Sequence, residues 1–128
     1  MPPLTSAVVE QIDDATSRTS IHEIAAYLRD ALGQRVAAHL VGAADARQIS
    51  AYAGGGNVSD MRARRLREGY KIVRMIETTY DAETAKAWLF GTNARLDDQA
   101  PIDLIGAATE TQQFADVRRA ARQFASAG

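Results

Sequence analysis

The feature that most constrains this chain is the spacing of its apolar residues. Between Ser20 and Gly33, the residues Ile21, Ile24, Ala25, Leu28 and Leu32 fall mostly three and four positions apart, the interval that aligns side chains along one face of an α-helix. The same interval recurs in Val36, Ala37, Leu40 and Val41, in Leu66, Tyr70, Val73 and Ile76, and in Phe114, Val117, Ala121 and Phe124. Alanine is abundant, and the β-branched residues are scattered rather than alternating as a half-buried strand requires. The expected class is therefore all-α.

Start and stop signals divide the pattern. A first helix over residues 4–15 presents Val8, Val9 and Ile12 to one side. Ser20 with Glu23 three places on has the form of a capping box, and Gly33 is a stop. A short helix over 34–41 ends at Gly42-Ala43-Ala44. Asp45 is placed to cap a helix over 46–52 that points Ile49 and Tyr52 inward. After the loop Ala53-Gly54-Gly55-Gly56-Asn57, either Asn57 or Ser59 caps a long helix to about Thr79, with Met61 on its inner face. Asp81 caps a helix over 82–90 carrying Ala85, Trp88 and Leu89. Pro101 suits the first turn of a short helix through Ile105. A last helix over about 109–126 carries Arg118, Arg119 and Arg122 around its apolar stripe. Two regions are expected: 1–80, containing the long helix, and 81–128, a C-terminal helical module.

Apolar residues make up 46% and charged residues 24% of the 128 positions, enough to form a core without cross-links. There is no cysteine, so disulfides and thiolate metal sites are excluded. The start, MPPLTSAVVEQ, lacks the basic and apolar regions of a signal peptide. No apolar run approaches the roughly 18 residues that span a bilayer. These features point to a soluble cytoplasmic protein. The net charge of −1 is unevenly spread. Between Gln34 and Glu68, six arginines (35, 47, 62, 64, 65 and 67) face Asp45, Asp60 and Glu68, leaving that segment near +3 and the remainder near −4. Such a centre permits nucleic-acid contact or serves as a solvated helix face.

The helix–break–helix over 34–53 has the size of a helix-turn-helix, whose second helix reads the DNA major groove. Arg47, Gln48 and Ser50 stand where base-reading side chains belong, and Arg and Gln suit guanine and adenine. Arg62, Arg64 and Arg65 are the matching backbone-contact candidates. Gly42 falls one position before the usual turn glycine, and His39 stands where a small residue is normal. Catalytic and metal motifs fail. His22-Glu23 opens like HExxH, but Ala26 occupies the second ligand position. Gly54-Gly55-Gly56 lacks the Gly-Lys-Ser/Thr of a phosphate loop. Asp97, Asp98 and Asp103 read as turn and capping residues. No metal, cofactor or catalytic set is expected.

The stretch AWLFGTNARLDDQAPIDLI, residues 87–105, is the most distinctive. Trp88-Leu89, Asn93, Leu96, Pro101 and Leu104 together resemble the signature of the Xre/MbcA/ParS-like toxin-binding antitoxins. Asn93 lies five after Trp88, Leu96 three further and Pro101 five further. The resemblance covers about residues 34–128. This chain has Thr92 and Ala94 where family loops often have prolines. It has Asp97-Asp98 where they have a glycine pair, Gln99-Ala100 before the proline, and Ile105 as the second leucine of the closing motif.

The resemblance implies a non-catalytic antitoxin of a type II toxin–antitoxin pair. Its partner is a RES-domain toxin that consumes NAD or transfers ADP-ribose, and the antitoxin neutralises it by occluding the NAD cleft. Asn93, Arg95, Asp97, Asp98 and Gln99 are the loop residues a partner could touch. Arg119, Arg122 and Gln123 would hold the rim, with Ser126, Ala127 and Gly128 as a C-terminal plug. Family members commonly repress their own operon as symmetric oligomers, so a homodimer or a hetero-oligomer with the toxin is implied, with no membrane role. The alternative is a stand-alone helix-turn-helix regulator, which does not need the Trp88-to-Leu104 module. A helical enzyme is the weakest option.

Overall fold

The computed structural model describes residues 3–127, which form an all-α structure. The helices are α1 (Ser6–Arg18), α2 (Ile21–Leu32), α3 (Gln34–Val41), α4 (Arg47–Ala53), α5 (Asp60–Thr79), α6 (Ala82–Phe90), α7 (Pro101–Ala107) and α8 (Thr111–Ser126), with one 3₁₀ turn at Ala94–Leu96.

Local chemistry sets most helix ends. The backbone N–H of Glu23 donates to Ser20 Oγ at 3.1 Å, that of Arg62 to Ser59 Oγ at 3.3 Å and that of Thr84 to Asp81 Oδ1 at 2.8 Å. Each pairs an N-cap oxygen with the donor three residues on. Asp45, expected as a cap, instead precedes the N-cap Ala46, and its Oδ1 accepts from Arg47 N, two residues on, at 2.9 Å. Some boundaries differ from expectation. Thr5 caps α1, so the helix runs from Ser6 to Arg18, and Leu4, just outside it, turns into the core. α7 extends past Ile105 to Ala107. α8 starts at Thr111 because Gln113 Oε1 reaches back to the N–H groups of Thr109 and Glu110, at 2.8 and 2.9 Å.

α5 is the spine. α2, α8, α6, α1, α3 and α7 all pack on it. Its Leu66, Ile72, Val73 and Ile76 are fully buried, as are Ile24, Leu28 and Leu32 of α2 and Leu40 of α3. A fully buried side chain of this size contributes about 1.5–3 kcal/mol, against about 1 kcal/mol for a cap, so the core decides the fold and the caps decide where helices stop. Trp88 is an exception to the expected pattern. It is only partly buried and lies 6.2 Å, centroid to centroid, from Phe124, which in turn lies 5.0 Å from Tyr80. In α7 the fully buried residues are Ile102 and Ile105, while the expected inward Leu104 is partly exposed.

The division at residue 80 is not a core boundary. One hydrophobic cluster takes residues from α1 through α8. α3 meets α7 backbone to backbone: a Cβ on Gly106 would stand 2.7 Å from the His39 carbonyl oxygen, and a Cβ on Gly42 would stand 2.7 Å from that of Gly106. Only glycine admits backbones that close. His39 Nε2 and Asp103 Oδ1, 2.7 Å apart, bridge the same two helices at the surface.

Candidate partner-binding site

Residues 91–100 join α6 to α7 through a loop stiffened by its own hydrogen bonds. The Asn93 side chain accepts from Arg95 N at 3.0 Å, and its carbonyl accepts from both Leu96 N and Asp98 N at 2.9 Å. Asn93 N donates to the Gln99 carbonyl at 3.2 Å, closing an isolated antiparallel bridge. Leu96 is buried beneath the loop, and Pro101, also buried, opens α7 at its first turn. Closing so short a loop requires two successive left-handed residues. Asp97 has φ 56° and Asp98 has φ 61°. Aspartate tolerates that region better than most residues, though glycine does so at no steric cost.

The loop faces one side of α8 across an open cleft of ≈430 Å³. Arg95, Asp97 and Gln99 line it from the loop and Leu104 from α7; Gln113, Asp116, Arg119 and Gln123 line it from α8. A smaller depression of ≈270 Å³ continues past Arg95 and Gln123 to Asn93, Trp88 and Phe124. The wall is amphoteric. Arg119 pairs with Asp116 at 3.3 Å, and Asp116 also accepts from Gln112 at 2.8 Å. Phe90, beyond the cleft on α6, is 50% exposed.

Asn93, Arg95, Asp97, Arg119 and Gln123, expected from sequence to meet a partner, are thus brought together. Asp98 is exposed on the loop but does not line the cleft. Arg122 does not join the rim: its Nη2 donates to Ser6 Oγ at 2.8 Å and so ties α8 to α1. The segment expected to act as a plug is anchored at its base. α8 is docked through its last turn, with Ala125 fully buried and its carbonyl accepting from Thr79 Oγ1 at 2.8 Å. Ser126 and Ala127 are exposed beyond it, and Gly128 lies outside the described residues. The side of α8 that faces the cleft carries Gln113, Asp116, Arg119, Ala120 and Gln123. Gln113, Asp116 and Ala120 were missed, although they stand at three- and four-residue intervals from Gln123 and so share its face.

The nucleic-acid candidates fare differently. α4 packs across α2 and α3. Its polar residues are engaged within the molecule. Arg47 is exposed, and its guanidinium pairs with Asp45 at 2.9 Å; these hydrogen bonds hold the Asp45 carboxyl below its ordinary range. Ser50 Oγ donates to Gln34 at 2.9 Å. Arg62 Nη1 donates to Gln48 Oε1 at 3.2 Å and to the Tyr52 hydroxyl at 2.6 Å. Arg64 Nη2 donates to Thr111 Oγ1 at 2.6 Å and lies over the Phe114 ring. Arg65 donates to the Ala108 carbonyl at 2.9 and 3.2 Å and to the Val41 carbonyl at 3.2 Å. Burial, then the charge of Arg62, lowers its pKa from the ordinary value. Arg67 Nη1 donates to the carbonyls of Thr16 and Thr19 at 2.7 and 3.1 Å. Arg62, Arg64 and Arg65, candidates for DNA contact, are thus each engaged within the molecule: α5 uses them to hold α4, α8, α3 and α7.

Among the described residues, no three histidine, aspartate or glutamate side chains converge as metal ligands, and no helix is long and apolar enough to cross a membrane. Compared with known proteins, the chain matches no family model, no curated sequence and no solved structure.

Proposed function

We propose that this protein is the antitoxin of a type II toxin–antitoxin pair, and that the cleft between the 93–99 loop and α8 seats a RES-domain toxin. One observation carries the reading. The antitoxin pattern has a glycine pair just after its loop leucine, and in this chain those positions are Asp97 and Asp98, the only non-glycine residues with positive φ among the described ones. The loop thus has the backbone that glycines serve, although the sequence there departs from the pattern. In this reading the chain is a stoichiometric blocker working in the cytoplasm, and the NAD chemistry belongs to the toxin. Arg95 and Gln123 sit at the centre of the surface, where arginine anchors contribute most to an interface.

The test is co-expression with the product of the neighbouring reading frame, which on this reading is a RES-domain enzyme. Growth should be rescued, and a complex of defined mass should purify. Arg95→Glu with Gln123→Glu should abolish both while the variant stays folded. Rescue that survives the double substitution would overturn the assignment of the cleft, and a toxin that stays active with the intact chain would overturn the antitoxin reading.

A second reading, operator binding by the α2–α4 unit, rests on the packing of α4 across α2 and α3. It predicts affinity for upstream DNA that falls steeply with salt and weakens in Arg47→Ala/Gln48→Ala. Absence of binding at low salt by chain and complex alike would remove it.

A further inference from the structure

A second cleft, of ≈260 Å³, opens between α1 and α5 and shares no residue with the one facing the 93–99 loop. Val8, Ile12 and Ala15 of α1 form its apolar wall, and Tyr70 and Arg74 of α5 face them. Arg74 is held firmly. Its guanidinium lies 5.5 Å from the centroid of the Tyr27 ring and 5.7 Å from that of Tyr70, and Nη1 donates to the Tyr70 hydroxyl at 3.3 Å. The two rings are themselves packed edge to face, 5.2 Å between centroids.

What Arg74 lacks is an anion. Among the described residues it forms no ion pair. Glu77, one turn on, accepts instead from the Tyr27 hydroxyl. Stacking on aromatic faces offsets part of the cost of drawing a guanidinium out of water. With Nη1 on the Tyr70 hydroxyl, the Nε and Nη2 edge of the fork stays open, and that edge matches a carboxylate bidentately. Gln11 at the rim adds a side-chain amide. A pocket with an apolar wall and few convergent polar groups is the usual form of a small-molecule site.

We propose that the α1–α5 cleft binds a small monocarboxylate with an apolar body, its carboxylate on Arg74 and its body against Val8, Ile12 and Ala15. A single guanidinium matches one unit of negative charge, which favours a monoanion over inorganic phosphate. The apolar wall favours a short alkyl or aryl body over a hydroxylated one.

The full-length chain is titrated with phenylacetate and hexanoate while amide and arginine Nε–H resonances are followed by NMR. Parallel titrations use 2-phenylethanol, 1-hexanol and inorganic phosphate. The carboxylates should give saturable shifts at Val8, Ile12, Ala15 and the Arg74 Nε–H, and the neutral alcohols and phosphate should bind more weakly. Arg74→Gln should weaken carboxylate binding by about tenfold or more, the loss of a charge-assisted pair. Ala15→Leu, which fills the cleft from the α1 side, should abolish binding with Arg74 in place. Alcohols or phosphate binding as tightly as the carboxylates, unchanged affinity in either variant, or no saturable shift with either carboxylate would each overturn the proposal.

Discussion

The head of α5 and the loop between α6 and α7 are both rich in polar side chains, yet they use them in opposite ways. Arg62, Arg64, Arg65 and Arg67 reach α4, α8, α3 with the end of α7, and α1 in turn. Three helix C-terminal ends have carbonyls that receive a guanidinium N–H: Thr16 and Thr19 at the end of α1, Val41 at the end of α3 and Ala108 just past α7. Such carbonyls have no partner within their own helix, and the helix dipole favours a cation there. In the loop, by contrast, backbone groups and Asn93 satisfy one another, and Arg95, Asp97 and Gln99 are left to line an open cleft. A dense run of arginine is therefore not by itself a surface for a partner. Short helices leave many ends to satisfy, and a long helix running past them is a natural place to keep the donors.

The comparison can be broken most easily at Arg65. Arg65→Ala should cost about 2 kcal/mol in urea unfolding, since an unsatisfied buried polar group costs about 1–3 kcal/mol. Arg65→Lys should recover only part of it, because an ammonium lacks the fork that serves two carbonyls. A cost below about 0.5 kcal/mol, the range of ordinary surface changes, would return Arg65 to the surface class. Arg95→Glu should do the reverse. Stability should stay within about 0.5 kcal/mol, while, on the proposed function, the dissociation constant of a toxin complex rises about 30-fold, the effect of losing an anchor of about 2 kcal/mol.

Next in size is the loop backbone. Asp97→Val should lower stability by about 1–2 kcal/mol, the penalty of a left-handed residue with a bulky side chain. Asp97→Gly should hold or raise the melting temperature. Hydrogen exchange at Asn93 and Asp98 reports directly on whether the loop stays closed. Smaller is the contribution of the Asp81 cap. Its hydrogen bonds to Thr84 lower its pKa from the ordinary 3.8 in the folded chain. The added stability is then complete above that value and lost as the pH falls through the depressed one. Asp81→Asn keeps an acceptor for Thr84 and should flatten this acid dependence in a pH series of melting curves. The smallest effect belongs to Arg47→Ala, which should leave stability unchanged and let the Asp45 pKa rise back toward 3.8 in an NMR titration.

The helices were largely legible in the sequence because their ends are decided within four residues. Ser20, Ser59 and Asp81 bond the backbone three places on, and Gly33 and Gly42 sit at C-caps, so each signal lies beside the structure it makes. The start of α8 was placed early because Gln113 caps it from inside the helix, past an N-cap glutamate. In α7, seven residues are too few to fix the phase of a periodic pattern, and Ile102 was passed over in favour of Leu104. The destinations of the arginines were not legible. Arg65 meets a carbonyl 43 residues away and Arg67 one 51 residues away, so no local rule distinguishes such a side chain from one that faces solvent. The α8 side of the candidate site was half legible: Arg119 and Gln123 were found, whereas Arg122, one residue from Gln123, serves the opposite neighbour.

Gly42 and Gly106 bring α3 and α7 together main chain to main chain, with the Arg65 guanidinium set against Gly42. Neither helix has room to slide or roll while the other stays still, so the first half of the chain and the last are geared together. A fragment starting at residue 81 would lose α3 and α5, on which α7 and α8 pack. Any shortening of this chain should start from its exposed turns rather than cut it in two.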